Sequence, residues 1–176
     1  MSLEGERYRI RSLTALDVDE KYLSWFQNPE VMRFVAPWMR YSPQQHAAVI
    51  KGADNETKFM LGIFRRDSDR FIGWLRAQVY PIHERAYSTL VIGYEDEWGQ
   101  GAMLDVHRCW RLFAFDNLAI SKVTFSVYGQ HEAMLKKLPQ IPGVVSEGVS
   151  RRHEKLPGVG FQDVHRFAIF RNPPGA

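Results

Sequence analysis

The chain has 176 residues, 45% of them hydrophobic and 24% charged, and 23 Lys and Arg against 20 Asp and Glu leave a formal charge of +3. That length and balance describe one globular domain over 1–176, and they argue against a disordered tail, a basic nucleic-acid-binding arm or a membrane-spanning chain. Cys109 is the single cysteine and the six histidines lack zinc-ligand spacing, so neither a disulfide framework nor a metal centre is expected.

The opening "MSLEGERYRIR" is charged by its fourth residue and has no apolar h-region, so no signal peptide is expected, and a cytoplasmic protein is. "ERYRIRSLT" alternates through Tyr8, Ile10 and Leu13 and reads as a first strand. Thr14 with Asp17 predicts a capping box opening a helix that carries Leu16, Tyr22, Leu23, Trp25 and Phe26, broken at Pro29. Pro37 and Pro43 punctuate an aromatic-rich irregular region, followed by a helix over about 44–51. "KFMLGIFRR" and "RFIGWLRAQVY" are strands joined by "DSD", and "AYSTLVIGY" is a third. Met103, Val106, Trp110 and Phe113 recur at helical spacing and predict a helix over 101–116. "KVTFSVY" is a strand, "HEAMLKKL" a short helix, and "GVVSEGVSRR" and "FQDVHRFAIFR" are two closing strands joined by a polar loop at "HEKLPGVG". The order β-α-α-β-β-β-α-β-α-β-β is that of a mixed α/β sheet in one domain.

The stretch "EDEWGQGAM", 95–103, joins a strand to the longest helix through Gly99, Gln100, Gly101 and Ala102. The first N–H groups of a helix lack intrahelical partners and sit at the positive end of its dipole, and small residues let phosphate oxygens reach them. The spacing fits an anion site, and it fits a plain tight turn equally well.

"LVIGYEDEWGQGAM" resembles the acetyl-CoA-binding segment of the GNAT N-acetyltransferase superfamily, whose pattern is Gln/Arg-x-x-Gly-x-Gly/Ala opening the third main helix. Trp98 takes the Gln/Arg position, as in members similar to the ribosomal-protein alanine N-acetyltransferases, and Gly101 the invariant glycine. "FAFDNLAISKVTFSVYGQHEAMLKKL", "PGVVSEG" and "FQDVHRFAIF" are similar to later family segments, so the resemblance runs along almost the whole chain. It implies a GNAT fold, an α/β, mostly antiparallel sheet flanked by helices with a splayed central strand pair. The amides of Gly99 through Met103 would hold the CoA pyrophosphate. The strand around Val91, Ile92 and Gly93 would pair with the pantetheine arm, while 123–128 splays away. The implied reaction is direct attack of an amine on acetyl-CoA; the acceptor would be a protein N-terminus, a small-molecule amine or an amino sugar. No nucleic acid or membrane partner is implied, and pairing into a homodimer is left open.

Three positions depart from the family pattern. Met103 replaces its Gly/Ala, His131 its Asn, and Leu138 the Tyr that serves many members as acid. Tyr128 and His131 are the substitute acids nearest in sequence, and Tyr87 is the candidate base, with a water chain as the alternative. Glu95 and Asp96 read as helix-capping or solvent-facing groups. The resemblance puts acceptor contacts in "RFVAPWMRYSP" and "WLRAQVYPIHE". Phe34, Trp38, Met39, Tyr41 and Trp74 could line an apolar slot there, with Arg40, Tyr80 and His83 orienting a polar group. The missing Tyr also motivates a second reading, a CoA-binding module without catalysis.

Overall fold

The computed structural model describes residues 1–36, 41–156 and 158–172. It opens with a strand absent from the sequence reading, β1 (Ser2–Glu4), paired with β2 (Tyr8–Ser12), in which Tyr8 and Ile10 are buried. Thr14 and Asp17 do make a capping box, but around one 3₁₀ turn, Ala15–Asp17, and not around the expected helix. Leu16, expected on that helix's apolar stripe, is 93% exposed. Helix α1 (Glu20–Gln27) starts later, where the Asp19 carboxylate accepts the Tyr22 N–H. Pro29 ends α1 and also opens α2 (Pro29–Met32), since the first helical position needs no N–H donor. Ser42 and Gln45 box the start of α3 (Pro43–Lys51).

The remaining elements are β3 (Lys58–Arg65), β4 (Phe71–Tyr80), β5 (Arg85–Ile92), α4 (Ala102–Asn117), β6 (Lys122–Tyr128), α5 (Glu132–Lys137), β7 (Val144–Leu156) and β8 (Gly160–Phe170). β7 therefore runs through the first half of the segment expected to be a loop. The eight strands form one sheet in the order β1-β2-β3-β4-β5-β6-β8-β7, antiparallel at every junction except β5–β6. One face packs on α4 through Val106, Trp110 and Ala114; the other packs on α1, α2 and α3 through Tyr22, Trp25, Met32 and Ile50. No helix among the described residues is long and apolar enough to cross a membrane.

The β5–β6 junction breaks the continuity of the sheet. These parallel strands are in register only at Arg85↔Lys122, Ala86↔Val123 and Tyr87↔Thr124. Beyond those pairs β5 continues five residues to Ile92 and β6 four to Tyr128, with no pairing between them. A gap therefore opens in the middle of the sheet, and α4 begins just past the end of its β5 edge.

Candidate functional site

The passage from β5 to α4 is fixed before any ligand is considered. The Glu97 carboxylate, 2% exposed, meets Arg65 at 3.4 Å and Arg70 at 3.3 Å. Asp96, expected to cap the helix or face solvent, pairs with Arg70 at 2.7 Å. The Trp98 indole N–H donates to the Ile92 carbonyl at 3.0 Å, and Arg7 donates to the Gln100 carbonyl at 2.8 Å. Asp105, in the first turn of α4, is occupied by the β1–β2 connection: it accepts the N–H groups of Glu6, Arg7 and Tyr8 at 3.0, 2.9 and 3.0 Å. Its charge thus faces the N-terminal hairpin.

Gly99 and Gly101 sit at φ +77° and +91°, where another L residue costs about 1–2 kcal/mol. A Cβ built on either glycine meets nothing within 4 Å, so the surface above the turn is open. Leu104 and Asp105 donate to the Gly101 carbonyl at 3.0 and 3.1 Å. The N–H groups of Gly99, Gly101, Ala102 and Met103 have no acceptor among the described residues, and α4 has no side-chain cap. Four unpartnered donors, a helix dipole and open space make a cradle of the right chemistry for a pyrophosphate.

The cradle leads onto the gap. Gly93 donates its N–H to Ile72 of β4 at 2.8 Å, and the two-residue alternation of an antiparallel ladder turns Val91 toward β4 as well. The main-chain groups that face the gap are therefore those of Leu90 and Ile92. This narrows the expected Val91–Gly93 edge and adds Leu90, and the Ile92 carbonyl is already held by Trp98.

On the side of the sheet away from α4, the gap widens into a cleft lined by Tyr87 and Thr89 of β5, Ser126 and Tyr128 of β6, Glu154 of β7 and Phe34. Tyr87 and Tyr128, expected from sequence, thus come together. Glu154 does not stand out in the sequence. It arrives through an irregular stretch of β7: Ser150 pairs Val164 and Glu154 pairs Gln162, so four steps along β7 match two along β8. Asp163 pins the surplus residues by accepting the Arg152 N–H at 2.8 Å and the Arg151 guanidinium at 2.6 Å. Shifted along β8 by this surplus, Glu154 accepts a hydrogen bond from the Tyr128 hydroxyl. Burial first, and then the Glu154 carboxylate, push the Tyr128 pKa well above the usual tyrosine value.

The other expected residues fall as follows. His131 precedes α5 but makes no side-chain cap; it stacks on Phe34 at 4.0 Å, and burial and then Arg33 lower its pKa. Trp74, expected to line the slot, is 1% exposed and packs in the core against Phe26. Tyr80 ends β4 and His83 lies in the β4–β5 connection, both at the opposite end of β5 from the gap, because β4 and β5 are antiparallel. Tyr41 accepts a hydrogen bond from Arg76 at 2.8 Å and packs edge-on to His46. Trp38, Met39 and Arg40 lie outside the described residues.

The sequence model of the GNAT acetyltransferase domain matches residues 7–138. The chain belongs to the GNAT acetyltransferase family. Solved structures agree on the fold. The ribosomal L7/L12 α-N-protein acetyltransferase RimL, in complex with coenzyme A, is 17% identical with a TM-score of 0.80 over 97% of this chain and 98% of that one. A GNAT-family acetyltransferase from Bacillus anthracis is 14% identical (TM-score 0.79; 97% and 98% covered). A spermidine N-acetyltransferase SpeG chimera from Vibrio cholerae and hSSAT is 16% identical (TM-score 0.79; 94% and 96% covered). Comparison with curated protein sequences returns no significant match.

Proposed function

We propose that this GNAT domain transfers an acetyl group from acetyl-CoA to a primary amine, a protein N-terminus or a small-molecule amine or amino sugar. One observation carries the reading: the unpartnered N–H cradle at Gly99–Met103 opens directly onto the unpaired β5 edge. The cradle would hold the pyrophosphate, and Leu90 and Ile92 would offer main-chain partners to the pantetheine arm. When bound, acetyl-CoA supplies a thioester carbonyl open to nucleophilic attack. The acceptors named for RimL and the spermidine enzyme, a protein N-terminus and a polyamine, both present an amine.

The cleft side chains fit an amine that arrives as an ammonium. Glu154 is the carboxylate of the cleft lining, beside the hydroxyls of Tyr87, Thr89, Ser126 and Tyr128. An ammonium with pKa near 10 must lose a proton to become a nucleophile. The Tyr128 hydroxyl can receive that proton on oxygen while passing its own to Glu154, to which it is already bonded. This assigns Glu154 as base and Tyr128 as relay, in place of the acid role expected for Tyr128. The departing thiolate would take its proton from water.

Leu138 keeps the CoA-binding module without catalysis as the second reading, because at the family's acid position it offers a buried aliphatic side chain. Isothermal titration with CoA, followed by thiol release from acetyl-CoA across a panel of amines and peptides, tests both. No binding at millimolar CoA sinks both readings. Binding with no thiol release on any acceptor favours the module.

A further inference from the structure

Helices α1, α2 and α3 cover the amine-cleft face of the sheet at one end, over Met60, Trp74 and Val91. Away from them, register sets Lys58, Gln78 and Tyr87 side by side across β3, β4 and β5, and Arg85 beside Lys122 across β5 and β6. Arg166 of β8 stands opposite Ser126. Tyr87 and Ser126 line the cleft, so by strand alternation all of these side chains share its face. The cleft thus continues into a polar floor.

The charge on this floor is lopsided. Lys58, Arg85, Lys122 and Arg166 stand on it, against two carboxylates among the described residues of these strands: Glu147, bound by Lys122, and Glu154, bound by Tyr128. Neither Lys58 nor Arg85 meets a carboxylate among the described residues; Arg85 lies over the Tyr80 ring at 4.3 Å. Arg166 donates to the Ser150 hydroxyl at 3.0 Å and to the His153 ring at 3.2 Å. The carboxylate at the point of reaction is therefore approached across a field of cations. An acceptor with several ammonium groups would set all but one of them against that field. A single ammonium followed by carboxylates complements both parts. From Tyr128 to Lys122 is the length of β6, roughly 20 Å at ~3.3 Å per residue, so an extended peptide would lay its first ~7 residues over the floor.

We propose that the acceptor is the N-terminal segment of an acidic protein or peptide, its ammonium at Glu154 and its first carboxylates over Arg166, Lys122, Arg85 and Lys58. The inference rests on the amine-acceptor reading above and selects among the acceptors left open there. A nucleic acid would also answer the cations, but its phosphates bring no ammonium to Glu154.

Fluorescence anisotropy with the CoA-saturated full chain reads acceptor binding without turnover. Labelled peptides with a free N-terminus carry Glu, Gln or Lys within their first ~7 positions, or the same Glu residues moved beyond position ~10. Exposed ion pairs contribute up to roughly fivefold each, so the Glu peptide should bind about tenfold tighter than the Gln peptide, and the Lys peptide weakest. Added salt should shrink the gap. Lys58→Glu made together with Arg85→Glu should abolish it, and Gln at both positions gives the same test should the reversed pair fail to fold. Equal binding of the Glu and Gln peptides overturns the inference. So does a gap that survives moving the Glu residues or replacing the two cations, and so does a short RNA that displaces the Glu peptide better than unlabelled Glu peptide. Failure of CoA to bind in a separate calorimetric titration would instead overturn the acyl-CoA reading.

Discussion

At one end of the gap the groups on offer are main-chain N–H groups, held by two positive-φ glycines and a buried Glu97. At the other end they are side chains, contributed by β5, β6 and β7, with Glu154 brought in by an irregular stretch of one strand. The first kind of site is insensitive to which side chains surround it, provided the backbone keeps its shape. The second depends on individual atoms: Tyr128 and Glu154 are 26 residues apart in the chain and meet through a single hydrogen bond. In the proposed enzyme, the backbone end would give affinity for the donor and the side-chain end would give rate. Variants should therefore separate cleanly, with Kd for CoA changing at one end and kcat at the other.

The largest effect should come from Gly101→Val. A β-branched residue at φ +91° strains the turn by about 1–2 kcal/mol and puts its methyl groups into the open space over the cradle. With charge-assisted contacts worth about 1.5–3 kcal/mol each, calorimetry should show CoA affinity falling by at least ~10²-fold. Unchanged affinity would remove the cradle from the account. Next is Glu154→Gln, which should lower kcat by about 10²-fold at unaltered Kd for CoA; a change in Kd alone would break the division between the ends.

Tyr128→Phe should cost less, about tenfold in kcat, because a water can replace a relaying hydroxyl. Made together, the two cleft changes should be no worse than Glu154→Gln alone, as expected for groups acting in series. Fully additive losses would mean separate roles. Since Tyr128 holds its proton well beyond the usual tyrosine range, the pH–rate profile should show no fall near pH 10 attributable to it. The smallest effect should be that of Trp98→Phe, which deletes the bond to Ile92. A net hydrogen bond of about 1 kcal/mol corresponds to roughly a fivefold weaker Kd for CoA, with kcat unchanged.

The same contrast decides what could be read from the sequence. Local signals were legible: the alternation in β2, the spacing along α4, and the Gly99–Gly101 turn all depend on residues near one another in the chain. The capping box at Thr14 was a correct local signal with the wrong extension, because Arg11 ties Asp17 down and the chain extends to Asp19 before winding into α1. Trp74 and Tyr80 were misplaced because periodicity gives neither the sheet face packed against α1 nor the end of β5 that opens. Glu154 was invisible for a stronger reason. Alternation counts residues in twos, so the surplus residue between Ser146 and Gly148 breaks the count, and the two surplus residues between Ser150 and Glu154 then shift which β8 residue Glu154 meets. Asp163 and Arg166, far along the next strand, hold that change in place.

The central claim, that main-chain donors at the α4 start and the split β5 edge bind the donor together, is tested most directly by amide resonances followed during titration with CoA. The account predicts saturable shifts at Gly99, Gly101, Ala102 and Met103, accompanied by slowed hydrogen exchange at Leu90 and Ile92. Binding that leaves those six amides unmoved, or no binding at millimolar CoA, would contradict it.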